Sequence, residues 1–326
     1  MQAIYKNIRN MKAFSDSKGS KSRVHAIAFC VYLASLLIFG SNGILAAGVS
    51  LASSQIVFFR MSLGAAILAV AFVAMRKKLT VLHNKHDLVF LIGGGLGASC
   101  EMLFVYEAYQ TAGVAMSTIL CYLAPIVVMM LSPILFRERL TAIKGISFAV
   151  VVVGSLLINV LALGNGVSPR GILFGLGSAA GLASMVICNK KVTRTPGLER
   201  AVVQMVVSGI ICTVYIAVTQ GIVPTLMATT AAGAWPTIIV IGVLSGIGNL
   251  MYFIAISKLS VQSVAVFGYL EPLSAVLMSV AFLGEHMLPL QIVGAAMIIG
   301  GALAAETIGK KQPQPSKQLR KLPHAA

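Results

Sequence analysis

Charge is what this chain has least of. Only 10% of its 326 residues are Asp, Glu, Lys or Arg, where a soluble domain carries about a quarter. That shortage excludes an ordinary water-soluble fold. Acidic residues are scarcest, nine against 25 Lys and Arg. The resulting net charge of +16 does not point to nucleic acid, because the basic residues sit in short links and in the two tails. Histidine is rare: His25, His83, His86, His286 and His324 lie in tails, links or span edges, and none belongs to an HExxH zinc pattern. The five cysteines lie inside apolar runs, without metal-ligand or redox spacing, and read as small buried side chains. Gly93-Gly94-Gly95-Leu96-Gly97 lacks the Lys-Ser/Thr and the preceding strand of a phosphate loop. No cofactor, metal or ATP drive is expected, and the chain does not read as an enzyme.

What remains is apolar. Hydrophobic residues make up 58% and mean hydropathy is +0.92. They fall in runs near twenty, the length that crosses hydrocarbon as a helix. The sequence predicts an all-α membrane protein with ten transmembrane helices. These run over 25–46, 51–75, 87–109, 113–136, 141–162, 169–189, 199–220, 235–257, 260–284 and 287–308. On that count, 23 of the 25 Lys and Arg fall on one side; Arg170 falls on the other and Arg60 inside a span. The positive-inside rule makes the loaded side cytoplasmic, with both termini on the cytoplasmic side of the cell membrane. The first apolar run is too long for a signal-peptide core, so it is expected to stay. The polar tails, 1–24 and 310–326, are expected to be disordered and to lie on anionic lipid.

The second half repeats the first at a shift of 147 residues. Tyr122, Leu123 and Pro125 recur as Tyr269, Leu270 and Pro272; Glu138 recurs as Glu285, and Gly154 as Gly301. The units are 25–162 and 163–309, with five spans each. An odd count forces the second copy to start on the opposite side, so the repeats are inverted (5+5). Such pairs rock between two openings of nearly equal energy, which alternating access requires.

Tyr122-Leu123-Ala124-Pro125 through Glu138, then Gly154, resembles the first repeat of an EamA-type member of the drug/metabolite transporter superfamily. Tyr269-Leu270-Glu271-Pro272 through Gly284-Glu285, then Gly301, resembles the second, and Arg60 also fits. Two departures are Phe39-Gly40, where many members carry Trp-Gly, and Arg137, where a Gly is common. The resemblance implies ten helices in the inner membrane and movement of small metabolites, often amino acids or drugs outward.

Candidate site residues follow from cost. Pro125 and Pro272 break spans four and nine, freeing the carbonyls of Cys121 and Gly268. Tyr122 and Tyr269 lie beside the breaks, near the midplane, each with a ring for stacking and a hydroxyl for hydrogen bonding. Arg60, Glu101 and Glu271 are ionisable groups inside spans, each costing ~2.5–3.5 kcal/mol at a helix centre. They either pair as a static bridge or leave a carboxylate for a proton or a substrate ammonium. Glu271, next to a helix break, is the stronger candidate. Asn42 and Asn249 either line the path or bond between helices. Tyr106 and Phe253 match under the repeat shift and are candidates for an apolar lining. Glu138 and Glu285 are expected to hold link amides or a helix start. The expected partners are a small-molecule substrate, the lipid bilayer and a coupling proton, with no nucleic acid; a homodimer is compatible with the sequence.

A passive channel or facilitator, and a membrane-embedded enzyme, are the competing readings. No filter-like loop or charged ring supports the first, and no catalytic set supports the second.

Overall fold

A computed structural model describes residues 18–112, 114–138, 141–159, 168–283 and 288–307. Every α-helix or 3-10 turn in it, and nothing else regular among the described residues, follows from apolar runs cut by Gly, Pro and charge. In chain order these helices are α1 (Lys18–Ala47), α2 (Ser53–Ala74), α3 (Lys85–Ala112), α4 (Val114–Cys121), α5 (Ala124–Phe136), α6 (Ala142–Asn159) and α7 (Pro169–Lys191). They continue as α8 (Gly197–Thr219), α9 (Ile222–Ala231), α10 (Trp235–Ile256), α11 (Val261–Gly268), α12 (Leu270–Leu283) and α13 (Pro289–Thr307). Among the described residues, eight segments are long and apolar enough to cross a membrane; α4 with α5, and α11 with α12, each count as one. The apolar helices α6 and α13, where the fifth and tenth spans were expected, are shorter.

Three observations depart from the sequence reading or fall outside the described residues. Helix α1 begins at Lys18, inside the stretch expected to be a disordered tail. The link 221–234 holds a further helix, α9, behind Gly221 at φ +78. Glu285 and the residues of the second tail beyond 307 lie outside the described residues.

Helices pack in a pattern that recurs when the halves are exchanged. α3 lies on α7 as α10 lies on α1, and α2 on α10 as α8 on α3. α2 packs on α8 and α6 on α13, each the partner of its own counterpart. Small residues allow the closest approaches, as lipid-embedded helices require. A Cβ on Gly97 would stand 2.7 Å from the Gly181 carbonyl oxygen, and one on Gly181 2.6 Å from the Glu101 nitrogen. This contact sets the depth of Glu101 between α3 and α7. The outward faces carry bare aliphatic side chains such as Val73, Ile134 and Val218, which is the surface a bilayer covers and water does not.

At the end carrying the basic links, buried acids tie loops to helices. Asp87, fully buried, accepts from the Arg194 and Thr195 amides at 2.8 and 2.9 Å and from the Thr195 hydroxyl at 2.8 Å. Glu199 accepts from the Thr80 hydroxyl and the Val81 amide, both at 2.7 Å. Each carboxylate replaces solvent for otherwise orphaned donors.

Candidate functional site

Two helix breaks build the site. α4 stops at Cys121 and α5 restarts at Ala124, with Pro125 in its first turn, where a missing amide costs nothing. α11 stops at Gly268 and α12 restarts at Leu270, with Pro272 likewise early. Tyr122 and Tyr269 occupy the breaks themselves. Their rings lie 5.8 Å apart at 35°, and the Tyr269 hydroxyl donates to the Tyr122 carbonyl oxygen at 2.7 Å. A carbonyl at one break thus accepts a hydrogen bond from the side chain of the other.

A small open cleft lies against both breaks. Tyr122, Pro125, Gly268 and Glu271 line it, with Tyr32 and Leu36 from α1 and Tyr252 from α10. Val128, Val186 and Val264 form its apolar end. Tyr32 is fixed by donating its hydroxyl to the Val264 carbonyl oxygen at 2.9 Å, and its ring lies 5.7 Å from that of Tyr252. Glu271 is the one carboxylate on the wall. Among the described residues, no hydrogen-bond donor reaches it.

The other charged candidates stand beside the cleft. Arg60 is buried; its Nε donates to Ser245 Oγ at 3.2 Å and its Nη1 approaches Met102 Sδ at 3.8 Å. Its guanidinium sits 5.9 Å over the Phe39 ring, a cation–π contact. Among the described residues, no carboxylate lies within ion-pair distance of Arg60, yet it interacts electrostatically with both Glu101 and Glu271. Glu101, buried, meets the Cys121 thiol at 3.8 Å. With all three ionised the cluster carries one net negative charge, from two acids and one base. A single proton or ammonium group on Glu271 would neutralise it.

The remaining candidates take supporting places. Tyr106 stands next to Arg60, its ring 5.3 Å from Tyr109. Asn249 donates to the Ser245 carbonyl oxygen in its own helix at 2.9 Å. Phe253 is fully buried behind Tyr252, and Pro272 is buried. The Asn42 side chain lies outside what is described. Tyr32, Leu36 and the valines were missed by sequence reasoning. Tyr32 corresponds to Ala179 in the other half, so a search for repeated residues passes over it.

One end of the cleft is closed by polar contacts. The Glu138 carboxylate accepts from the Val261 and Gln262 amides at 2.8 and 3.1 Å, capping α11 from the other half of the chain. Gln262 Nε2 donates to Ser132 Oγ at 3.3 Å, and Lys144 Nζ to Gln262 Oε1 at 2.8 Å. Lys190 Nζ donates to the Leu259 carbonyl oxygen. Ser132, Gln262 and Lys190 each lie about one turn or less beyond Val128, Val264 and Val186 on the same helices. They therefore form a polar plug beneath the apolar end of the cleft.

A family model, the EamA-like transporter family, matches residues 26–160 and again 169–306. The chain belongs to the EamA-like transporter family. It is similar to "Uncharacterized transporter YxxF" of Bacillus subtilis, at 22% identity over 284 residues, covering 86% of this chain and 89% of that one. It is also similar to an "Uncharacterized transporter" of Archaeoglobus fulgidus, at 25% over 199 residues, covering 61% and 69%. A solved crystal structure superposes with a TM-score of 0.73 over 87% of this chain and 99% of that one; at 18% identity it shows the shared fold. This EamA-like protein is thus a multi-pass membrane protein of a transporter family. The family's second departure also has a structural account: Arg137 sits at φ 54, the left-handed conformation that favours glycine, where it ends α5.

Proposed function

We propose that this protein is a secondary transporter that moves small amine-bearing metabolites, amino acids or related compounds, across the cell membrane by alternating access. The observation that carries the reading is the Glu271 carboxylate, which no hydrogen-bond donor reaches among the described residues, on the wall of a tyrosine-lined cleft at two helix breaks. A substrate ammonium would take the place of the missing donor, and the Tyr32, Tyr122 and Tyr252 rings would stack on it or flank it. The apolar end at Val128, Val186 and Val264 would take an aliphatic or aromatic side chain.

On this reading α6 and α13 are the fifth and tenth spans, and the chain is two inverted five-helix repeats with both termini cytoplasmic. The exchange-symmetric packing supports it, because each half meets the other as its counterpart does. Two acids facing one base, Glu101 and Glu271 beside Arg60, support proton exchange: proton and ammonium would compete for Glu271, so each would leave as the other enters. With protons entering down their gradient, that competition would drive the amine outward. The plug under the cleft supports a carrier over a channel, since α11 must part from α5 before solute passes. Counterflow in proteoliposomes, screened with amino acids, sugars and organic cations, tests the reading. Saturable exchange of an amine is expected; ohmic conductance would contradict it.

A further inference from the structure

The link between α8 and α10 presents an anomaly. Residues 201–257 contain no Asp, Glu, Lys, Arg or His, although this stretch turns back between two spanning helices. A turn standing in water has no reason to avoid every charge. Within it, α9 is inside out by the standards of a soluble surface helix. Its buried residues are the threonines Thr225 and Thr229, whose hydroxyls donate to the Gly221 and Thr225 carbonyl oxygens at 2.8 Å. Its outer stripe is Ile222, Val223, Leu226 and Met227, with Val223 at 65% and Met227 at 67% exposure. Back-bonded threonines need no water, and the apolar stripe gains nothing from it.

We infer that α9 is an interfacial helix whose apolar face enters the lipid at the boundary between headgroups and acyl chains, on the membrane face away from the basic links. Two observations choose lipid as the occupant. The stripe continues the lipid-facing row Ile210, Val214 and Val218 of α8, all exposed, without a charged residue between. α8 is also 23 residues long, about 34 Å, so it has used the hydrocarbon thickness when Gly221 turns the chain into α9. Trp235 follows directly and donates its indole N–H to Thr230 Oγ1 at 3.0 Å; tryptophan is the residue most typical of this depth. The contrast with the other half sharpens the point. At the 147-residue shift, α9 corresponds to Met75–Asn84, which carries Arg76, Lys77 and Lys78. The same topological turn is therefore built for charge on one face and for lipid on the other. Seated in this way, α9 fixes the depth of α10, which carries Ser245 and Tyr252 to the site.

Trp235 is the single tryptophan, so the wild-type chain reports on itself. In phosphatidylcholine–phosphatidylglycerol vesicles, Trp235 emission is expected to be quenched most by lipids brominated near the headgroup, less by deep bromines, and hardly by aqueous iodide. Met227→Trp in a Trp235→Phe background is expected to lose most of its emission to brominated lipid. Quenching of either tryptophan by iodide alone would overturn the inference and place α9 in water. Shielding of residue 227 from both quenchers, relieved only when protein is diluted in lipid, would overturn it in favour of a second copy of the chain. If the double variant does not fold, the Trp235 depth profile decides alone.

Discussion

The Tyr269 hydroxyl donates to the Tyr122 carbonyl oxygen at 2.7 Å, across residues 147 positions apart and equivalent in the two halves. The bond is one-way: the equivalent residues do not do equivalent jobs. Tyr122 lines the cleft, whereas Tyr269 is buried behind it, with the Phe148 ring 5.9 Å away. Tyr269→Phe should remove a hydrogen bond at membrane depth and cost about 0.5–1.5 kcal/mol. Thermal unfolding in detergent should show a lowered transition, with substrate affinity nearly unchanged. Tyr122→Phe keeps the carbonyl, so it should do the reverse, weakening binding and sparing stability.

The polar plug makes a second prediction. Glu138→Ala removes two charge-assisted bonds to the start of α11 and about 1–2 kcal/mol of capping. The half-helix should then part from α5 more often, by roughly tenfold for 1.4 kcal/mol. Alkylation of Val264→Cys by a membrane-impermeant maleimide, applied from the side of the basic links, should speed up accordingly. An unchanged rate would show that Glu138 does not hold the closed state.

Arg137 offers a stabilising change. Its left-handed backbone at φ 54 costs an ordinary side chain about 1 kcal/mol. Arg137→Gly should therefore raise the apparent melting temperature by a few degrees and leave transport intact. A fall would mean that the guanidinium contributes more than its backbone costs.

Much of the scaffold was legible because duplication writes it twice. Two prolines at equivalent places predict two breaks, and the structure places the breaks at Tyr122 and Tyr269. The chemistry was legible only in part, because it is written once. Glu271 corresponds to Ala124, Glu101 to Gly248 and Arg60 to Val207. These stood out by the cost of charge in lipid, not by repetition. Tyr32 has neither charge nor a matching partner, since it corresponds to Ala179. Only the packing of α1 against the breaks reveals it. Asn249 stood out as a polar group inside a span, and its amide N–H donates within its own helix. α9 was hidden because an apolar ten-residue stretch between spans has no periodic signal of its own.

The account rests on Glu271 as the group that a proton and a substrate ammonium share. The most direct measurement is paired in proteoliposomes: uptake of the amine found by the counterflow screen, with the internal pH followed by a trapped dye, for wild type and Glu271→Gln. Wild type should move protons opposite to the amine. Glu271→Gln should lose proton movement entirely, and either stop or retain only uncoupled exchange. Wild-type transport and proton movement in Glu271→Gln would contradict the account.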